Sequence, residues 1–95
     1  MLIMNFEYLA KPPVTRKIKA VRVLLSPGEE VGEHSTEKRE EIIIILRGIA
    51  TVIVEGKTIK LEEGKIHFIG EGKKHNIKNE HTADLEYIYV VSLFD

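Results

Sequence analysis

The chain contains no cysteine and no tryptophan. Without cysteine it can form neither a disulfide framework nor a thiolate metal site, so any bound metal must be held by imidazole or oxygen ligands. An excess of charge of one sign is also missing, because 14 Lys and Arg residues oppose 15 Asp and Glu residues, for a formal net charge of -1. Binding to nucleic acid irrespective of its sequence requires a basic surplus. We therefore expect no nucleic-acid partner.

Long hydrophobic runs are missing too. The longest aliphatic run is the segment 42–46, whereas a membrane-spanning helix needs about 20 apolar positions. The apolar start of the chain, Met1 to Phe6, has no basic leader and no small-residue cleavage site of the kind that marks a signal peptide. We therefore expect no membrane association and a cytoplasmic location. With 95 residues, the chain is expected to form one domain over 1–95, since domains usually contain about 100 to 200 residues.

Glycine recurs every eight residues in the second half of the chain, at Gly48, Gly56, Gly64 and Gly72. The stretches between these glycines are rich in Ile, Val and Thr, which is typical of short strands joined by tight turns. The segment 37–47 does not favour a helix, because its four consecutive isoleucines would cover every side of one. Many short antiparallel strands around one small core predict a small all-β barrel. The strands are predicted at 2–9, 17–25, 34–36, 41–47, 50–54, 58–61, 65–69, 76–78 and 85–94.

Alternation along the segment 41–47 places a charge beside apolar residues. Side chains alternate across a strand, so if Glu41 points into the barrel, Ile43 and Ile45 point in with it. A lone carboxylate at the mouth of an apolar lumen is costly unless a cation, an arginine or a bound ligand offsets it. His34 and His75 are the accompanying candidates, and two imidazoles with one carboxylate suit Fe(II), Mn, Ni, Cu or Zn. Spacing along the chain does not by itself bring the three together.

Two glycine-bounded motifs contain these residues. The first, over 28–48, has the order Gly28, His34, Thr36, Glu41 and Gly48, with intervals of five, one, four and six residues. The second, over 64–79, has the order Gly64, Gly70, Gly72, His75 and Asn79, with intervals of five, one, two and three residues. They resemble the two cupin motifs, G-x5-H-x-H-x3-4-E-x6-G and G-x5-P-x-G-x2-H-x3-N. The resemblance covers a little over half of the chain and implies a small double-stranded β-helix, the jelly-roll-like cupin barrel.

Two positions depart from the cupin pattern. Thr36 stands where the family usually has its second histidine, and Gly70 stands where it usually has proline. Glycine also suits a tight turn, so the second departure changes little. Because cupins with the full set are expected to hold a metal through three histidines and a glutamate, the resemblance implies a 2-His-1-carboxylate site of His34, Glu41 and His75. Positions on the metal would stay open for water or substrate.

The function implied by the resemblance is a metal-binding cupin that acts on a small molecule. Thr36 would hold a metal-bound water or leave room for a bidentate substrate. A metal-free cupin that binds or senses a small ligand would keep much of the same pattern, and a storage or structural role is also compatible with it. Glu41 taken alone could instead pair with Arg47, Lys38 or Arg39, or be a surface charge while Glu40 points inward. His75 taken alone could be a hydrogen-bonded histidine of the barrel.

Other polar residues receive simpler interpretations. His67 is a candidate substitute ligand if its side chain points inward, and His81, in a polar loop, is expected to be solvated. A basic stretch comprises Arg16, Lys17, Lys19 and Arg22. Alternation puts its two arginines and its two lysines on opposite faces of a strand. We therefore interpret it as a solvated strand end rather than as an anion-binding patch.

The apolar residues predict assembly. In the segment 41–47, Ile42, Ile44 and Leu46 would point away from the lumen and must be covered by a second sheet or another subunit. The N-terminal segment 1–16 combines an alternating strand with a connection and suits an added edge strand at a dimer interface. Small cupins commonly form dimers, so the resemblance implies a homodimer here, which we predict.

Overall fold

The computed structural model describes residues 5–93, which form eight β-strands and no helix. In chain order the strands are β1 (Asn5–Ala10), β2 (Ile18–Leu25), β3 (Glu41–Arg47), β4 (Ala50–Val54), β5 (Lys57–Leu61), β6 (Ile66–Ile69), β7 (His75–Lys78) and β8 (Leu85–Ser92). The all-β prediction is confirmed. Within the described part of the chain, no helix has the length and hydropathy needed to cross a bilayer.

The strand bounds lie close to those predicted. The predicted piece at 34–36 is reduced to a single bridge between His34 and His75, supported by a hydrogen bond of 3.0 Å from the Gly72 amide to the Thr36 carbonyl. The predicted first strand begins, and the predicted last strand ends, at positions that lie outside the described residues.

The strands form two antiparallel sheets. The larger sheet has the order β1-β2-β8-β3-β6 and the smaller one the order β5-β4-β7. In β2 and β3 alternate residues face the core, as the fully buried Val21, Val23 and Leu25 of β2 illustrate. The other apolar core residues are Ile43, Ile45, Ala50, Val52, Ile69, Ile77, Leu85, Tyr87 and Val91. This apolar burial stabilises the fold by about 25 cal/mol per Å² removed from water.

Strand β3 has the alternation predicted from the sequence. Glu41, Ile43 and Ile45 are buried on its inner face. On its outer face, Ile42 remains 41% exposed and Leu46 40% exposed. The smaller sheet therefore does not cover these two side chains. That a second copy of the chain covers this face stays a prediction.

Gly48 lies in the two-residue connection through which the chain passes from β3 in the larger sheet to β4 in the smaller one. Its φ of +88° is in the left-handed region, and a Cβ added there would lie 2.4 Å from the backbone oxygen of Asp84. Both features favour glycine. Gly70 differs, because its φ lies outside that region and an added Cβ would make only ordinary contacts, with the side chains of Lys73 at 3.7 Å and Phe68 at 3.9 Å. Gly70 thus needs no conformational freedom specific to glycine.

Asn79, the last residue of the second motif, is buried and holds loops in place. Its Nδ2 donates hydrogen bonds to the carbonyl oxygens of Leu25, at 2.9 Å, and Ala83, at 2.8 Å. Its Oδ1 accepts a bond of 3.0 Å from the His81 amide. Asn79 therefore links the ends of β2 and β7 to the loop before β8. Its role in the motif is structural.

Candidate metal centre

Three different parts of the chain contribute the predicted ligands. Glu41 is the first residue of β3, His75 is the first residue of β7, and His34 lies in the loop between β2 and β3. The backbones of the two histidines pair: the His34 amide donates to the His75 carbonyl at 2.9 Å, and the His75 amide donates to the His34 carbonyl at 2.8 Å. This bridge brings the imidazole rings to a centroid distance of 4.3 Å.

Backbone carbonyls orient both imidazoles in the same way. The His34 Nδ1 lies 2.9 Å from the Gly32 oxygen, and the His75 Nδ1 lies 2.8 Å from the Lys73 oxygen. Because a carbonyl only accepts hydrogen bonds, these contacts assign the hydrogen to Nδ1 and leave the Nε2 lone pair free in the neutral ring. Metal-binding histidines commonly have their other ring nitrogen held by a carbonyl or carboxylate in this manner.

The structure brings the three predicted ligands together. One ligand atom from each of His34, Glu41 and His75 lies within 4.8 Å of the other two. The His75 Nε2 and a Glu41 carboxylate oxygen are 3.6 Å apart. Two ligand atoms at about 2.1 Å from one metal ion lie about 3.0 to 3.4 Å from each other. The His75–Glu41 pair is close to this spacing, and binding of a divalent ion would draw the group together from separations of up to 4.8 Å.

The buried polar atoms of this group fit a metal. His75 is 1% exposed and Glu41 7% exposed, and the His75 Nε2 has no hydrogen-bond partner among the described residues. A buried polar nitrogen without a partner costs free energy, which coordination to a cation would offset. His34 is exposed, so the side of the group next to its ring is open. That these residues hold an ion stays a prediction.

Charge at the site changes the pKa values of neighbouring groups. Burial lowers the pKa of the His75 imidazole, but interaction with the Glu41 carboxylate and the hydrogen bond to the Lys73 carbonyl outweigh it, so the pKa is raised above its usual value. Burial, followed by the negative charge of Glu41, raises the pKa of the phenols of Tyr87 and Tyr89. Glu41 thus acts as the source of negative charge at this end of the lumen.

A cavity of about 260 Å³ adjoins the group. Apolar and aromatic side chains form most of its wall, namely Phe6, Tyr8, Val23, Val31, Ile77, Tyr87, Tyr89 and Val91. Its polar lining consists of Lys19, His34, Thr36, Arg39 and Glu41. Thr36, at the position where cupins usually have a further histidine, therefore faces the same space as the candidate ligands. The volume and mixed lining suit a small molecule.

The remaining sequence candidates lie elsewhere. His67 pairs with Ile43 in the ladder between β3 and β6 and is not among the three residues whose ligand atoms converge. His81 is half-buried in the loop before β8. Arg47 forms an ion pair of 3.4 Å with Glu86 rather than with Glu41. The pairing of Glu41 with an arginine is thus not formed by Arg47.

One residue of the cavity departs from its sequence interpretation. The basic stretch was expected to be a solvated strand end, but Lys19 is half-buried and lines the cavity. The signal was present in the alternation of β2, because Lys19 has the same parity as the inward-facing Val21 and Val23. Arg22, on the opposite face, pairs with Glu86. Arg39 also lines the cavity, and its place in a loop gave no periodicity from which to predict this.

Comparison with known proteins agrees with this architecture. The cupin domain family matches residues 21–91, and the chain therefore belongs to the cupin family. No curated protein matches the chain.

Solved structures share its fold. A predicted oxalate decarboxylase from Thermotoga maritima is 29% identical and superimposes with a TM-score of 0.89, over 96% of this chain and 81% of that one. KdgF from Halomonas sp. is 21% identical with a TM-score of 0.84, over 97% of this chain and 80% of that one. A Cupin 2 conserved barrel domain protein from Salinispora arenicola is 22% identical with a TM-score of 0.81, over 96% of this chain and 76% of that one. The fold is the all-β cupin barrel.

Proposed function

We propose that this cupin binds a divalent transition metal, Fe, Mn, Ni, Cu or Zn, through His34, Glu41 and His75, and that its lumen takes a small molecule beside the metal. The observation that carries the proposal is the buried Nε2 of His75, which has no hydrogen-bond partner within residues 5–93 and lies 3.6 Å from the Glu41 carboxylate. The convergence of a ligand atom from His34 within 4.8 Å supports it.

Each residue of the group has a distinct part in this function. The Nδ1 hydrogen bonds to Gly32 and Lys73 orient the two rings and leave each Nε2 lone pair free, and the His75 Nε2 lies 3.6 Å from the carboxylate. Glu41 supplies the negative charge that a divalent cation requires. Thr36 offers a hydroxyl where a third imidazole would leave less room. When bound, such an ion acts as a Lewis acid that polarises an oxygen of a small molecule.

A metal-free binding or sensor module is the second candidate. The observation that favours it is the distance of 3.6 Å between the His75 Nε2 and a Glu41 carboxylate oxygen, which a protonated His75 would turn into an ion pair. The raised pKa of His75, to which the Glu41 carboxylate and the Lys73 carbonyl contribute against the effect of burial, agrees with it. A protonated His75 would satisfy Glu41 electrostatically without a metal. The lumen would then bind its ligand through the residues that line the cavity.

Metal uptake separates the two candidates. Protein purified without chelator or affinity resin, and protein stripped and then supplied in turn with Fe, Mn, Ni, Cu or Zn, is analysed for metal by mass spectrometry. We expect about one ion per chain for at least one of these metals, since the three ligands lie in one group. Failure to retain any of the five after removal of unbound metal would overturn the metal site and leave the binding module.

The affinity for the metal should depend on pH. Imidazole must be deprotonated to bind a metal, and the pKa of His75 is raised from its ordinary 6.5. Protons therefore begin to compete above that pH, and below the raised pKa the affinity should fall about tenfold per pH unit for each proton displaced. Titration with a competing chelator, corrected for the chelator's own protonation, measures this between pH 8 and pH 5.

The contribution of His75 to the stability of the metal-free protein should depend on pH in the opposite direction. A histidine whose pKa is raised by folding stabilises the fold below its unfolded pKa, and this contribution is lost as the pH rises through the folded pKa. The contribution is the difference in free energy of unfolding between the wild type and a His75→Gln variant at each pH. An affinity that does not change over this range, or a His75 contribution that grows with rising pH, would contradict the assignment.

A further inference from the structure

Lys19 is a charged residue on the inner face of the larger sheet. Along β2 it has the same parity as Val21 and Val23, which are buried in the core. Lys19 itself is half-buried, lines the cavity and has its Nζ 6.0 Å from the centroid of the Tyr8 ring. An inward-facing lysine at the end of an apolar strand is costly to desolvate unless an anion or a polar ligand accompanies it.

The strand register places Lys19 level with the candidate metal centre. Val91 of β8 pairs with Lys19 of β2 on one side and with Glu41 of β3 on the other. Lys19 and Glu41 are therefore two strand spacings apart, about 10 Å between their Cα atoms. Both line the same cavity. A small molecule bound beside Glu41 is within reach of the long Lys19 side chain.

Arg39 adds a second cation at the same end of the lumen. It precedes Glu41 by two residues, is half-buried and lines the cavity. Among the described residues, neither Lys19 nor Arg39 takes part in an ion pair with Asp or Glu. In the described part of the cavity wall, the only other acidic or basic side chain apart from His34 is that of Glu41. The lumen thus has a positive surplus without a metal, and a divalent ion would increase it.

We propose that the ligand of this cavity is a small dicarboxylate, an assignment that rests on the proposed function. One carboxylate lies beside His34, Thr36 and the candidate metal. Lys19 and Arg39 hold the other. The surplus of positive charge favours an anion over a neutral sugar or alcohol. The candidate metal and the cationic side chains of Lys19 and Arg39, which line the same cavity, together favour two anionic groups over one. Arginine suits a carboxylate because its planar guanidinium donates two parallel hydrogen bonds.

Calorimetric titration with malonate, succinate and glutarate, each compared with acetate, tests the assignment. It uses the full chain, both metal-loaded and metal-free, and the metal content of every sample is determined separately. We expect at least one dicarboxylate to bind the metal-loaded protein about tenfold or more tightly than acetate. Lys19→Met and Arg39→Gln should each reduce that affinity about ten- to a hundredfold, as expected for loss of a charged hydrogen bond. Metal content should stay unchanged in both variants.

Lys60→Gln is the matched control, because Lys60 lies exposed on β5 of the smaller sheet. It should leave dicarboxylate binding unchanged. If the wild type takes up metal but binds acetate as tightly as every dicarboxylate, or if Lys19→Met and Arg39→Gln bind like Lys60→Gln, the dicarboxylate assignment is overturned while the metal site stands. If no metal binds but dicarboxylate binding still depends on Lys19 and Arg39, the proposed metal site is overturned and the anion assignment is supported.

Discussion

Replacement of His75 by alanine should reduce the affinity for the metal by more than about 100-fold, since loss of a residue that only orients a ligand already costs about 10- to 100-fold. His75 is the most buried of the three candidate ligands, and its Nε2 has no other partner among the described residues. Without it, only Glu41 and the exposed His34 would remain. The measurement is metal affinity by competition with a chelator, together with the metal retained after gel filtration.

Two further variants keep this experiment interpretable. Glu41→Gln preserves the side-chain volume and removes the charge, so it should also lose the metal. It tests the same site without the change in packing that His75→Ala could cause. His67→Ala removes an imidazole from β6 that is not part of the converging group and should keep the wild-type affinity. Circular dichroism checks that each variant is folded. A folded His75→Ala or Glu41→Gln variant that binds metal like the wild type would contradict the assignment.

Gly48→Ala should lower the free energy of unfolding by about 3 kcal/mol, through a left-handed backbone that disfavours a side chain and through overpacking. The added Cβ would lie 2.4 Å from the backbone oxygen of Asp84. Because this oxygen belongs to the backbone that leads into β8, it cannot move aside as the end of a flexible side chain could. In a domain of this size, such a loss corresponds to a melting temperature lower by roughly 12 to 24 °C. Thermal and urea denaturation measure it.

Gly70→Ala is the matched control for this substitution. Its φ lies outside the left-handed region, and an added Cβ would make only ordinary van der Waals contacts with the Lys73 and Phe68 side chains. Its stability should change by less than about 0.5 kcal/mol. Equal melting temperatures for the two variants would contradict the account of Gly48, since a general effect of alanine in a loop would then explain both.

Local pattern was sufficient to predict most of the strands. Alternation in 41–47 correctly placed Glu41 with Ile43 and Ile45 on the inner face of β3. The evenly spaced glycines marked turns, and Gly56 and Gly64 have the left-handed φ that glycine favours. These features depend on the chemistry of adjacent residues, which is why they are readable without knowledge of the fold.

The residues that line the cavity were harder to predict from the sequence. The basic stretch that contains Lys19 was interpreted as a solvated strand end because of its charge, whereas the parity of Lys19 with Val21 indicated the lumen. Charge and parity conflicted, and only the pairing of β2 with β8 shows which of them decides the position. For Arg39, in a loop, no periodic signal exists.

By itself, the sequence determined an all-β chain, the inward face of β3 and, through its resemblance to cupins, the identity of the three candidate ligands. Tertiary structure decided that His34, Glu41 and His75 lie within 4.8 Å of one another, and that Lys19 shares their cavity. The physical reason is that alternation and turn preference act between neighbours in the chain. The distance between His34 and His75 instead depends on a backbone bridge between two residues that are 41 positions apart in the chain. Such long-range pairing depends on how both sheets assemble.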